Sequence, residues 1–568
     1  MLKHRRALVA LTGIVAVSLG PWQAAAEPAS QAPEAAIRVS NNIDARAANE
    51  AIDARIAERV LSAVGALQPR KRIKGERKGQ AERRIASEKA LKAFYEMREG
   101  KALWVGARGL NDRARMLLDV TSDADSWGLD PKAFAFDAAG STDASDLDHL
   151  ARNELALSRI ALRYASHARG GRITPSDLSF DIFVEPPLAD PASVLTDIMV
   201  ETDLRKYLTG LHPSHKQFRL LQLAYLKLRD GGDAADIDAE TVDAAPKKKS
   251  KKKQRKPKRL SRAEKLKRIK LTMEMWRWMP EDLGDIHVMA NIPAYRVRVM
   301  DGDTTAFEER VIVGKFKTQT PLFSDRMEHI VFRPTWGVPN SIKVRELLPG
   351  LLRGGDPVSR KGLRLQVRGR DVNPRSVNWR RADIRNYTVY QPSGPRNALG
   401  NVKFMFPNSH AIYMHDTPTK HLFKRSTRTF SHGCVRVRNP QNFAKVLLRI
   451  ANGWDEEQTM ATYRRGPDRQ QVNFDQPIPV HIGYFTVWAD PETEKLTFFK
   501  DIYRHERHLA YALDGRYNKI RKVRRSVSAD FQTIRASVKR REQAVTWFGS
   551  GTSGGGNKDW MKNVFNSD

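Results

Sequence analysis

The chain has 568 residues, one cysteine and a formal net charge of +33. A lone thiol excludes an internal disulfide framework, and the length accommodates two or three domains of about 100–200 residues each. So large a positive excess points to polyanionic partners, although most of the 98 lysines and arginines are read as a solvated basic surface.

In chain order the first element is a leader. Lys3, Arg5 and Arg6 precede the uncharged apolar run Ala7 to Leu19, and Ala24-Ala25-Ala26 supplies small residues for cleavage. Residues 1–26 are therefore predicted to be a secretory signal peptide. The run is shorter than the roughly 20 apolar residues of a membrane-spanning helix, and no later segment reaches that length. Export sets nucleic acid aside as the polyanion. It leaves carboxylate-bearing wall peptides and other anionic envelope polymers.

Residues 27–83, rich in Ala, Pro and charge, read as a flexible tether with room for one amphipathic helix at its one apolar period, Ile52-Ile56-Val60. From 84 to 230 apolar residues recur at helical spacing and predict an all-helical domain. Its stripes are Leu91, Phe94, Tyr95, Met97; then Leu157, Ile160, Ala161, Tyr164; then Leu195, Ile198, Met199, Leu204; and last Leu220, Leu221, Leu223, Leu226. A charged linker follows over 231–261, acidic at first and then lysine-rich from Lys247 to Arg259. That run repels itself into an extended form, serving as a solvated linker or as a contact to anionic envelope material. A basic connecting helix occupies 262–283.

Between 284 and 490 the texture turns to β. Strands are predicted at Ile286 to Ile292, Tyr295 to Val299, Phe307 to Val313, Ile330 to Phe332, Tyr387 to Tyr390, His410 to Met414 and Val480 to Trp488. One helix, Gln441 to Ala451, interrupts them. Residues 491–568 form a basic, helical C-terminal extension.

The chemistry concentrates around Ser431-His432-Gly433-Cys434-Val435-Arg436. An unpaired cysteine kept in an exported chain is a candidate nucleophile, and an imidazole that accepts its proton would yield a thiolate–imidazolium pair. His432, two residues away, and His415, at the end of a predicted strand, are both candidates for that base. Gly433 permits close backbone approach, and the amides near Gly433 and Cys434 could serve an oxyanion. No cluster with metal-ligand spacing and no phosphate loop is present, so no metal or other cofactor is expected.

His415-Asp416-Thr417-Pro418 followed by Ser431-His432-Gly433-Cys434-Val435-Arg436 closely resembles the L,D-transpeptidase catalytic domain. The resemblance extends through Val311-Ile312-Val313-Gly314-Lys315, Thr320-Pro321, Pro334 to Pro339 and Gly394 to Gly400. The order of parts resembles the large Gram-negative subclass, in which residues corresponding to about 340–390 form a capping subdomain. It implies a multidomain chain in which a helical scaffold domain precedes a mostly-β catalytic domain in the periplasm. It also implies a substrate, the tetrapeptide stem of peptidoglycan. Cys434 would be the nucleophile and His415 the base, oriented by the Asp416 carbonyl. His432 would shape the site, and Tyr413, Ser431, Gly433 and Arg436 would line the pocket. Arg436 would pair either a stem carboxylate or a structural partner. The acceptor could be a stem amine, water (an L,D-carboxypeptidase) or an amine of an envelope protein. A non-catalytic wall-binding scaffold is the alternative of another class. Where large relatives insert a peptidoglycan-binding module, this chain has only the lysine-rich run.

Overall fold

The computed structural model describes residues 32–68, 73, 75–137, 146–232, 260–523, 529–537 and 540, with side chains from residue 46 onward. The predicted leader and the Lys247–Arg259 run lie outside the described residues.

Amphipathic helices build the N-terminal body: α1 (Ala32–Gly65), α2 (Lys78–Met97), α3 (Asp112–Ser122), α4 (Leu147–Gly170), α5 (Pro191–Val200) and α6 (Leu204–Gly210). The longest well-packed one, α4, starts where the Asp146 carboxylate accepts the His149 amide at 2.9 Å. It ends where Gly171 leaves the helix at φ 75°. Leu157, Ala161 and Tyr164 on α4 meet Leu91 and Tyr95 on α2 and Leu195 and Ile198 on α5 in one core. Ile56, Val60 and Val64 of α1 enter the same core fully buried. Part of the stretch expected to be a tether is thus a packed helix, because its single apolar period is enough to face α4. Met97, expected on a stripe, is exposed.

Two further helices belong elsewhere. On α7 (Lys216–Arg229) the buried face is Phe218, Leu221, Tyr225 and Leu228, while Leu223 is exposed. On α8 (Arg262–Trp276) a reciprocal cap between Ser261 and Glu264 fixes the start. Both helices join the core of the β body rather than that of the N-terminal helices.

That body contains β1 (Ile286–Asn291), β2 (Arg296–Asp301), β3 (Thr304–Gly314), β4 (Phe323–Phe332), β5 (Trp336–Gly337), β6 (Arg364–Val367), β7 (Arg370–Val372), β8 (Thr388–Gln391), β9 (Val402–Met405), β10 (Met414–His415), β11 (Thr429–Ser431), β12 (Val435–Val437) and β13 (Gln470–Gly483). Nine of them form one sheet in the order β11-β3-β12-β10-β9-β4-β13-β1-β2, and β2 also pairs with β3, so the sheet curls back on itself. Helix α9 (Pro440–Asn452) lays Phe443, Leu447 and Leu448 onto it, and α10 (Glu456–Arg465) and α11 (His505–Leu513) follow.

The remaining strands form a small lobe, a four-stranded sheet ordered β5-β8-β6-β7. Its own core includes Val344, Leu347, Leu348, Ile384 and Val389. Phe531, from residues 529–537, is buried in that core. Asp530 pairs with Arg345, and Arg535 donates to the carbonyl of Trp379 at 3.2 Å and to that of Arg380. The chain therefore returns from beyond the β body to finish the lobe. No helix among the described residues is long and apolar enough to cross a membrane.

Candidate active site

Strands β10 and β12 run parallel, with Met414 opposite Val435 and His415 opposite Arg436. Side chains alternate along a strand, so Met414 and Val435 both point into the core, where they are fully buried. The residues on either side of them then share the opposite face: Tyr413 and His415 from one segment, Cys434 and Arg436 from the other. The register brings the sole thiol, an imidazole, a phenol and a guanidinium together.

The turn before Cys434 is held from several directions. Gly433 sits at φ 131°, where a Cβ would come within 3.1 Å of Ile412 Cδ1, so both backbone angle and space require glycine. Ser431 Oγ donates to the Cys434 carbonyl at 2.6 Å and accepts the Gly433 amide at 3.2 Å. The Gly433 amide is therefore occupied, which leaves the Cys434 amide as the backbone donor for an oxyanion. Thr320 Oγ1 donates to the Gly433 carbonyl at 2.7 Å and accepts the Gly314 amide at 2.9 Å. Tyr503 in turn donates to the Gly314 carbonyl at 2.5 Å. Thr320 stood in a motif but had no assigned part, and Tyr503 had no sequence signal at all, because its contact spans 189 residues.

His415 is buried, and its Nδ1 donates to the Asp416 carbonyl. A carbonyl can only accept, so Nδ1 carries the proton and Nε2 is the free lone pair of the neutral ring. The Asp416 carboxylate braces the same turn. It accepts the Thr417 amide at 2.6 Å and the Asn401 amide at 2.9 Å, and Lys420 Nζ lies 2.5 Å away. A Cβ on Gly400 would fall 2.3 Å from that carboxyl group, which explains the glycine ending Gly394 to Gly400. The expected strand over 410–414 is instead a loop as far as Tyr413, knotted by Asn408, which accepts the His410 and Ile412 amides.

Electrostatics set the resting state. Burial pushes the half-buried Cys434 thiol up to about 11, against the pull of the Tyr413 hydrogen bond and the Arg436 charge. Burial, then the Arg436 charge, drive His415 down to about 3. Removal from water penalises both charged forms, so burial favours neutral thiol and neutral imidazole and works against a resting thiolate–imidazolium pair. Tyr413 is pushed upward by burial and by Cys434, to which its hydroxyl is hydrogen-bonded.

The two candidate histidines separate here. His432 is exposed, and its Nε2 lies 2.7 Å from Glu346 Oε1 of the small lobe. That contact holds the Glu346 carboxyl down at about 2. His432 is turned to the lobe, while His415 shares the buried face with the thiol. Arg436 has no carboxylate partner among the described residues. Its Nη1 donates to Thr419 Oγ1 at 3.3 Å, and its Nε is buried without a partner.

Residues 285–455 match the family model described as the L,D-transpeptidase catalytic domain, and residues 89–224 match that of the Scaffold domain. The chain carries an L,D-transpeptidase catalytic domain. A relative from Haemophilus influenzae (strain ATCC 51907 / DSM 11121 / KW20 / Rd), named "Putative L,D-transpeptidase", is 33% identical over 234 residues, 40% of this chain and 47% of the relative. The chain thus spans about half the length of the curated relative it matches. An L,D-transpeptidase from Mycobacterium smegmatis has 14% identity over 35% of this chain and 58% of its own, with a TM-score of 0.17, too low to carry a geometric argument. The matched range contains Cys434, His415 and the small lobe, whereas Tyr503 and Phe531 support it from outside.

Proposed function

We propose that the protein is a periplasmic peptidoglycan L,D-transpeptidase with Cys434 as nucleophile and His415 as general base. The observation that carries this reading is the shared face of β10 and β12, which gathers Tyr413, His415, Cys434 and Arg436. A tetrapeptide stem enters between that face and the small lobe, which caps it. As sulfur attacks the carbonyl at the L-centre of the third residue, the thiol proton passes to His415 Nε2. The carbonyl oxygen becomes an oxyanion, received by the Cys434 amide and the Tyr413 hydroxyl. Collapse breaks the C–N bond, and D-Ala leaves with the proton from His415. An amine of a second stem then attacks the thioester, losing its proton through the same imidazole. The new amide joins two third residues and restores the thiol.

Burial suits this sequence. A neutral imidazole can accept the proton, and a thiol held neutral ionises only as it attacks. Arg436, charged and without a carboxylate partner, binds a stem carboxylate and favours negative charge on sulfur.

The test is chemical. A carbapenem is expected to add its mass once to the intact protein, at Cys434. Purified disaccharide-tetrapeptide should yield dimers linked through third residues. Cys434→Ala should lose both products while remaining folded. Dimer formation by the folded Cys434→Ala protein would refute the assignment.

A further inference from the structure

The Cys434 sulfur has a neighbour outside the shared face of β10 and β12. Sγ lies 3.8 Å from the Ala411 carbonyl oxygen, so the resting thiol donates its proton there. The Tyr413 hydroxyl donates to the same sulfur. One bond given and one received fix the rotation of the side chain. Ala411 is not placed beside the thiol by its own preference. Its φ is 54°, in the left-handed region that a residue with a Cβ seldom adopts. The surrounding loop imposes that angle. Asn408 accepts the His410 and Ile412 amides, each at 3.1 Å, and donates to the Phe406 carbonyl at 2.6 Å and the Ile412 carbonyl at 2.8 Å.

From outside, the loop is clamped by a ring of the N-terminal half. His410, next to Ala411, stacks on Phe183 with centroids 3.8 Å apart and planes 29° from parallel. Phe183 comes from the connection between α4 and α5. Its side chain is exposed, but its backbone is fixed: its amide donates to the Leu322 carbonyl and the Leu322 amide donates to the Asp181 carbonyl, both at 2.9 Å, and Ile182 is buried. Leu322 closes the stretch in which Thr320 holds the Gly433 carbonyl at 2.7 Å. Residues 181–183 therefore brace both backbones that meet at the thiol, 320–322 by hydrogen bonds and 408–412 by the stack.

We propose that Phe183 is a positioning residue for acyl transfer: by clamping His410 it keeps Ala411 left-handed, and the Ala411 carbonyl then holds the sulfur in the rotation from which it attacks. The inference rests on the transpeptidase reading above, and it gives the N-terminal helical half a part in the reaction that no catalytic-strand residue supplies. Phe183 acts on the thiol only through His410 and Ala411. Its contribution is orientation, so it belongs to the maximal rate of acylation and not to the concentration that half-saturates the site.

The experiment follows acylation of the full chain over a range of carbapenem concentrations, with urea unfolding as the check on folding. Phe183→Ala and His410→Ala should each lower the maximal rate by on the order of tenfold and leave the half-saturating concentration unchanged. Phe183→Tyr, which keeps a ring over the imidazole, should retain the wild-type rate. Because both single changes break one contact, Phe183→Ala/His410→Ala should be no slower than either alone. Phe180→Ala, at an equally exposed phenylalanine three residues away, should leave the rate unaltered. Should Phe183→Ala not fold, Phe183→Leu, apolar but without a ring to stack, carries the same prediction. An unaltered maximal rate in the folded Phe183 variant would overturn the proposal. So would an equal fall in Phe180→Ala, additive losses in the double variant, or a change confined to the half-saturating concentration. Absence of any Cys434 adduct in the wild type would remove the transpeptidase reading itself, whereas a normal wild-type adduct with no response to Phe183 removes only the clamp.

Discussion

Two buried clusters, one around Glu154 in the N-terminal helical body and one around Cys434 in the β body, treat their polar groups differently. In the helical body Glu154 is fully buried and fully employed. It accepts the Leu103, Trp104 and Val105 amides at 2.6, 2.8 and 3.1 Å and the Tyr95 hydroxyl. Its second neighbour Ser158 takes the Trp104 indole at 2.8 Å. Every donor at the start of that loop is used, so the cluster fixes a bend and does nothing else. Around Cys434 the accounts are left open. His415 has one partner and a free Nε2, Arg436 has a buried Nε with none, and the thiol is held above its ordinary value. Orphaned nitrogens alone do not mark a site, since His167 Nδ1 and both nitrogens of His505 are also buried without a partner; what distinguishes the Cys434 cluster is that they stand beside a thiol.

This contrast can be broken by mutation. The largest effect should come from His415→Gln, which removes the proposed base and should slow Cys434 acylation by on the order of a hundredfold or more, with little change in stability. Stopped-flow acylation and denaturant titration together read both quantities. Glu154→Gln should do the reverse, costing about 3 kcal/mol in urea unfolding and leaving the acylation rate of the folded protein intact. A stable Glu154→Gln protein, or a crippled site within a fully folded one, would erase the distinction.

Acidity sharpens it further. His415 takes up its proton at about 3 in the folded chain against 6.5 ordinarily. The unfolded chain binds that proton first, so stability is present above about 6.5 and is lost as pH falls towards 3. His415→Gln should flatten that part of the curve in melts between neutral and acidic buffers. For the thiol the shift is upward. Alkylation of Cys434 by iodoacetamide should keep rising with pH towards about 11 instead of levelling near 9, and Arg436→Leu should displace the rise higher still. The smallest effects belong to the supports. Thr320→Val strips the Gly433 carbonyl and the Gly314 amide of a partner, at a cost of about 1–3 kcal/mol and a modest loss of acylation. Glu346→Gln, which loosens the His432 contact, should alter stem affinity more than the rate of carbapenem attack.

Much of this was legible in the sequence. The strands at Ile286–Asn291 and Thr304–Gly314 announce themselves by runs of Val and Ile, and α9 by its apolar face. Strand β13 starts ten residues before the predicted Val480, because Gln470 to Pro479 is polar and proline-bearing and pairs with β4 through an irregular register. Helices α7 and α8 have clear periodicity, but periodicity does not say against what a face will pack, and theirs packs on the sheet. The thiol and both histidines were marked by their motif. Which histidine shares the thiol's face was not, since that depends on a parallel register between segments nineteen residues apart and on a carboxylate in the lobe. The supports from Thr320 and Tyr503 are long-range contacts that no local pattern carries.

The return of residues 529–537 to the small lobe has a consequence for synthesis. Chains emerge from the ribosome N-terminus first, so the lobe's other core residues are made well before Phe531, and its hydrophobic centre stays unplugged until that ring arrives. A chain cut before residue 529 would have strands β10 and β12 yet lack a finished lobe, so the capping proposed for the site depends on a segment made well after those strands.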